Sequence, residues 1–134
     1  HDFQPDGWYT LSIPSTVIAG LLQNGVYEDP FFSKNLQSIN SGDFGIPWWY
    51  RKEFVLPPGE AGKRIWLNFQ GLNYRANIWL NGIQIAQASE VVGPFRQYEF
   101  DITHLARADG QVNVLALEIF RPQPDDLAIT FVVK

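Results

Sequence analysis

Short runs of alternating apolar and polar residues, each closed by a turn signal, constrain this chain more than any other feature. Trp48–Val55 is one such run, and it stops at Pro57-Pro58-Gly59. Arg64–Gln70 follows with Ile65, Leu67 and Phe69 on one side, and Ala76–Leu80 sets Ala76, Ile78 and Leu80 on one side. Asn81-Gly82 then supplies two positions that accept positive φ, the signal of a two-residue hairpin, and Ile83–Ala86 returns from it. Gln97–Phe100 is shorter, and Asp101 is placed to cap a helical turn through His104-Leu105. Asp109-Gly110 turns into Val112–Phe120, where Leu115, Leu117 and Ile119 share a face, and a last run begins at Ala128. Near the front, Trp8–Ile13 alternates as well, until Pro14.

Roughly seven or eight such strands, with turn signals about every ten residues, predict an all-β fold: a sandwich of antiparallel sheets, each with one wet face. A jelly roll and an immunoglobulin-like sandwich satisfy this periodicity equally. One short N-terminal helix interrupts the pattern. Ser15 is positioned to cap it, Val17 with Leu21 and Ile18 with Leu22 form its stripe, and Asn24-Gly25 closes it. So short a helix is not stable alone and must dock on something.

Val26–Pro47 has no periodicity and is broken by Pro30, Gly42, Gly45 and Pro47, yet it carries Tyr27, Phe31, Phe32 and Phe44. A loop of about twenty residues inside a compact domain is commonly functional.

With 134 residues the chain suits a single domain, residues 1–134, whose core needs neither metal nor disulfide. It has no cysteine, which removes thiolate chemistry and cysteine–zinc sites. It also has no methionine and no signal-like segment at its front. Together with an apolar run ending one residue before Lys134, this reads as a fragment of a larger protein. A net charge of −4 argues against a nucleic-acid partner. The longest apolar stretch, Val17–Leu22, is far shorter than the roughly 20 residues of a membrane span.

Catalytic chemistry is hard to build from these residues. Glycoside cleavage uses two carboxylates held about 5 to 10 Å apart across the bond. Glu28 and Asp29 are loop neighbours, Asp125-Asp126 lies in a Pro-rich connection, and Glu53, Glu99 and Glu118 sit in strands where a charge normally points to water. The two histidines, His1 and His104, complete no triad and no metal cluster. The residues therefore nominate no catalytic group, no cofactor and no transition-metal ligand set, and they leave open a structural calcium ion held by loop oxygens. Aromatics make up 15% of the chain, with five Trp. They serve either as core or as flat platforms for the apolar face of a pyranose ring.

Several segments resemble one family. Trp48-Trp49-Tyr50-Arg51-Lys52-Glu53-Phe54 resembles the W-Y-R-x-x-F strand that opens the sugar-binding domain of glycoside hydrolase family 2. Phe69-Gln70-Gly71-Leu72 with Ala76–Gly82, Gly93-Pro94-Phe95 with Phe100–Thr103 and Leu105, and Asn113–Leu117 resemble further motifs of that domain, in the family's order. Ile13–Val17, Gly25–Phe32 and Asn35 resemble the opening of its β-mannosidase and exo-β-glucosaminidase branch.

The resemblance implies a jelly roll of the galactose-binding type, a non-catalytic N-terminal accessory domain of a β-glycosidase. The family's catalytic glutamates lie in a separate (β/α)8 barrel, the acid/base glutamate following an asparagine, and this chain contains no Asn-Glu pair. The implied partners are carbohydrate and that barrel. Enzymes of this kind often act on polymer-derived sugars, which suits a periplasmic or secreted parent. Asp29 and Asn35 are the candidate sugar contacts, with Tyr27, Trp48 and Trp49 as pocket-lining or interface aromatics. Each has a plainer alternative: Asp29 before proline forms turns, Asn35 caps a local turn, and one of two adjacent tryptophans belongs to the core. An autonomous lectin-like module and a purely structural spacer are the rival roles, and fold alone does not choose among them.

Overall fold

A computed structural model describes residues 7–126, so the run expected from Ala128 lies outside the described residues. These residues fall into two compact units, divided between Gly45 and Ile46.

The first unit holds helix α1 (Val17–Gln23), the single turn α2 (Asn35–Ser38) and a 3-10 turn (Ser41–Phe44). Thr16, one residue later than the expected Ser15, caps α1 by accepting from the Ala19 amide at 3.2 Å. Asn24 closes the helix: its backbone N–H reaches the Gly20 carbonyl, and its side-chain amide donates both to that carbonyl and to Thr10 O, each at 2.8 Å. The stretch 8–13, expected as a strand, forms no ladder among the described residues. Alternation sets which side a residue faces, but a strand also needs a partner, and here a side chain has taken the Thr10 carbonyl.

The second unit is the sandwich. Strands β1 (Trp48–Val55), β6 (Val112–Phe120), β3 (Arg75–Leu80) and β4 (Ile83–Ala86) form an antiparallel sheet in the order β1-β6-β3-β4. Strands β2 (Trp66–Phe69) and β5 (Tyr98–Asp101) form a second, two-stranded antiparallel sheet. The core lies between the sheets. Ala76, Ile78, Ala86, Val91 and Leu117 are buried there, with Tyr50, Leu115 and Ile119 packed on it from the larger sheet and Phe69, Tyr98 and Phe100 from the smaller. Ile78 and Leu80 are fully buried, each contributing about 1.5–3 kcal/mol by leaving water. The all-β expectation holds for this unit. Strand β2 is shorter than the expected run and β5 is offset by one residue, although a backbone bond from Ile102 to Ile65 O carries the contact one residue past the ladder.

The hairpin between β3 and β4 turns at Asn81 (φ 52°) and Gly82 (φ 84°), the pair of left-handed residues that a two-residue loop requires. Asp101 Oδ1 accepts from the Thr103 amide at 3.0 Å, and Leu105 and Ala106 both donate to Ile102 O, so the expected capped turn forms.

Candidate functional site

The loop that sequence reading singles out is built around two polar clasps. Asp29 Oδ1 accepts from the Phe31 amide at 2.9 Å, a tight Asx turn directly before Pro30. The Asn35 side chain, at the start of α2, donates back to the Asp29 carbonyl at 3.0 Å. Backbone bonds from Phe32 to Asp29 and from Asn35 to Phe32 complete the clasp. In the second clasp the Tyr27 hydroxyl donates to Asp43 Oδ2, and Asn40 Nδ2 donates to Asp43 Oδ1 at 3.0 Å. The Asp43 carboxylate stabilises the protonated phenol, and this hydrogen bond is the main reason that the Tyr27 pKa lies above its ordinary value. Asn40 also accepts from the Gly42 amide, so the 3-10 turn is capped locally.

The structure thus brings Asp29 and Asn35 together and ties Tyr27 into the same loop. Asp29 is exposed and Asn35 half-buried. Among the described residues, each keeps one side-chain oxygen, Oδ2 of Asp29 and Oδ1 of Asn35, outside these bonds. Sequence reading missed Asn40 and Asp43. Their three-residue spacing around Ser41-Gly42 was the available signal, since a polar side chain at that spacing commonly caps a short turn.

The clasps hold an apolar surface outward. Phe31 is 97% exposed, Phe32 71% and Leu36 66%. Three large apolar side chains within six positions, all in water, are more than the scattered exposure normal on a protein surface.

Trp48 and Trp49 part company on β1. Trp48 pairs with Ile119, is half-buried and lies on the same side as Tyr50, which joins the core. Trp49 faces the other way and stacks on Trp79, with ring centroids 5.1 Å apart and an interplanar angle of 26°. Beside them Asn77 Nδ2 donates to Glu118 Oε2 at 2.9 Å, and Arg51 pairs with Glu53. Trp79 escaped the sequence reading, although its position out of phase with Ala76, Ile78 and Leu80 already set it on the outer face. Among the described residues no group of three or more His, Cys, Asp or Glu could hold a metal ion.

Residues 1–129 match the family described as glycosyl hydrolase 2 galactose-binding domain-like. The chain belongs to that family. This glycosyl hydrolase 2 domain is 38% identical over 131 residues to an exo-β-D-glucosaminidase of Amycolatopsis orientalis, covering 97% of the chain and 12% of the relative. It is 40% identical over 124 residues to an exo-β-D-glucosaminidase of Streptomyces avermitilis, covering 92% of the chain and 13% of that relative. Its fold matches the structure of a variant Amycolatopsis orientalis exo-chitosanase in complex with PNP-β-D-glucosamine at a TM-score of 0.87 and 37% identity, covering 97% of the chain and 15% of that enzyme. The galactose-binding-like sandwich expected from the motifs is therefore the fold of this glycosyl hydrolase 2 domain. The chain spans only about an eighth of the length of these curated relatives.

Proposed function

We propose that this domain serves an exo-β-glucosaminidase as a non-catalytic accessory unit that packs on the catalytic (β/α)8 barrel and helps shape its substrate pocket. The observation that carries the proposal is the loop: two polar clasps spend their hydrogen bonds to keep Phe31, Phe32 and Leu36 in water. Ordered apolar side chains held outward favour a partner surface, because association removes that area from water without a further ordering cost. The rest of the parent enzyme is the nearest such surface.

In this reading the apolar tip seats on the barrel, and the polar side of the same loop borders the pocket. Asp29 Oδ2 and Asn35 Oδ1 accept hydrogen bonds from a substrate's hydroxyl or ammonium groups. Tyr27 stiffens the loop from behind, and Trp48 and Trp49 line or brace the domain interface. The similarity to exo-β-D-glucosaminidases supports an amino sugar as substrate, and a carboxylate is a suitable acceptor for its ammonium group.

Steady-state kinetics of the full-length enzyme test this. Asp29→Asn keeps the acceptor that forms the Asx turn but removes the negative charge, and Asn35→Ala removes the second contact. Each should raise KM for a chromogenic β-glucosaminide by about three- to tenfold, the scale of one hydrogen bond to a charged or polar group. Unchanged kinetics in both variants would sink the pocket-lining role.

A further inference from the structure

The outer face of the small sheet joins an exposed aromatic to polar and acidic side chains. Trp66 and Asn68 on β2 and Glu99 and Asp101 on β5 all point away from the core, in the cross-strand pairs Trp66–Asp101 and Asn68–Glu99. Gln70 and Gln97, both exposed, flank the strand ends. The alternate residues Phe69, Tyr98 and Phe100 pack on the core, so the rigid sandwich holds this face in place. On this face Trp66 is 50% exposed. A shallow depression of about 180 Å³ is lined by Asn68, Phe69, Gln70, Gln97, Tyr98 and Glu99.

Trp66 does not line that depression but lies two residues along β2 from Asn68, so the face offers a flat platform for the apolar side of one sugar ring and, further along, side-chain amides for the hydroxyls of the next. Charge narrows the choice. The six positions carry two carboxylates, and Arg64, the next exposed position in phase with Trp66, acts on Asp101 and helps to lower its pKa. Asp101 is already engaged by Thr103, through both its amide and its hydroxyl, whereas Glu99 makes no ion pair among the described residues. Glu99 is exposed, so a cationic sugar would add a modest ion pair there that a neutral sugar would not.

We infer that the outer face of β2 and β5 is a second carbohydrate-binding surface, with Trp66 as platform and Glu99 as counter-ion, for non-reacting units of a cationic β-linked glucosamine oligomer. This rests on the glucosaminidase reading for its ligand but not on the loop or its barrel contact. Such a surface would hold a polymer near the pocket between cleavages and raise the local concentration of chain ends.

Hydrogen–deuterium exchange on the full-length enzyme tests it, using a sulfur-linked glucosamine tetramer that the enzyme does not cleave. Slowed exchange is expected in peptides spanning 66–70 and 97–101, saturating with the tetramer. Trp66→Ala should weaken that protection about tenfold and Glu99→Gln about threefold, the latter being the scale of an exposed ion pair. A fully N-acetylated tetramer, which lacks the charge, should protect these peptides more weakly. Protection confined to the barrel would overturn this surface and leave the parent's activity standing. Equal protection by the acetylated tetramer would also overturn it, as would strands already shielded without sugar and unchanged by its addition.

Discussion

The Asn81 side-chain amide donates to Oδ1 of Asn113 at 3.0 Å, joining the tip of one hairpin to a fully buried residue on the neighbouring strand. Asn113 also accepts from the Arg107 amide at 2.8 Å and donates to the Arg107 carbonyl at 2.9 Å. Asn81 in turn donates to Leu105 O at 2.8 Å and accepts from the Val114 amide at 2.9 Å. Two asparagines thus satisfy backbone groups of the 105–107 segment and of Val114 and tie both to the hairpin tip. A buried amide is tolerated in such a place only when its hydrogen bonds are made.

Asn113→Ala should therefore cost about 2–3 kcal/mol, since it strands the Arg107 amide and carbonyl and leaves the Asn81 side chain short of a partner. Urea denaturation of the variant measures this. A loss under about 0.5 kcal/mol would show that water or a local shift replaces the network.

Two glycines should respond in opposite directions to alanine. Gly82 has φ 84° with nothing near a new Cβ, so Gly82→Ala should cost about 1 kcal/mol from backbone strain alone. Gly20 lies inside α1, where a Cβ would meet Leu11 at an ordinary 3.6 Å, so Gly20→Ala should be neutral or stabilise by up to about 1 kcal/mol. Paired thermal melts compare them, and destabilisation by both would contradict the spacing at Gly20.

Acid should weaken the sandwich through Asp101 and Asp126. Thr103, by its hydroxyl and then its amide, holds the Asp101 pKa below the ordinary carboxylate value, and Arg75 does the same for Asp126. A folded-state pKa below the unfolded one means stability that is present above the unfolded value and lost as pH falls from about 4 through the depressed folded values. Asp126→Asn should flatten the acid limb of a stability–pH curve, with a smaller change at neutral pH than the loss of a buried partner would bring. An unaltered limb would place the acid sensitivity elsewhere.

Phe31 separates the two contexts of the loop. At 97% exposure, Phe31→Ala should leave the stability of the isolated chain within about 0.5 kcal/mol of its starting value. In the full-length enzyme the same change should lower the melting temperature of the unit that contains the loop, because it removes a ring from the proposed contact with the barrel. Equal insensitivity in both would argue against that contact.

Much of this protein follows from residue order alone, because strand alternation and turn chemistry are local. Ala76, Ile78 and Leu80 were assignable to the core from their spacing, and Asn81-Gly82 to a hairpin from their tolerance of positive φ. The family motifs carried the sandwich type, which periodicity left open between two architectures.

What tertiary structure decided were the relationships between distant segments. Nothing local distinguishes Trp8–Ile13 from a strand, since a ladder depends on what the rest of the chain brings beside it, and among the described residues it joins none. Trp79 gained meaning only when β1 and β3 flanked β6 and set its ring on Trp49. Asn113 looked like a strand residue until the fold buried it against Arg107 and Asn81. The outer face of β2 and β5 is joined by pairing across about thirty residues of chain, a distance over which hydrophobic pattern carries no register. Sequence sets which way each side chain can face, and long-range pairing sets what it faces.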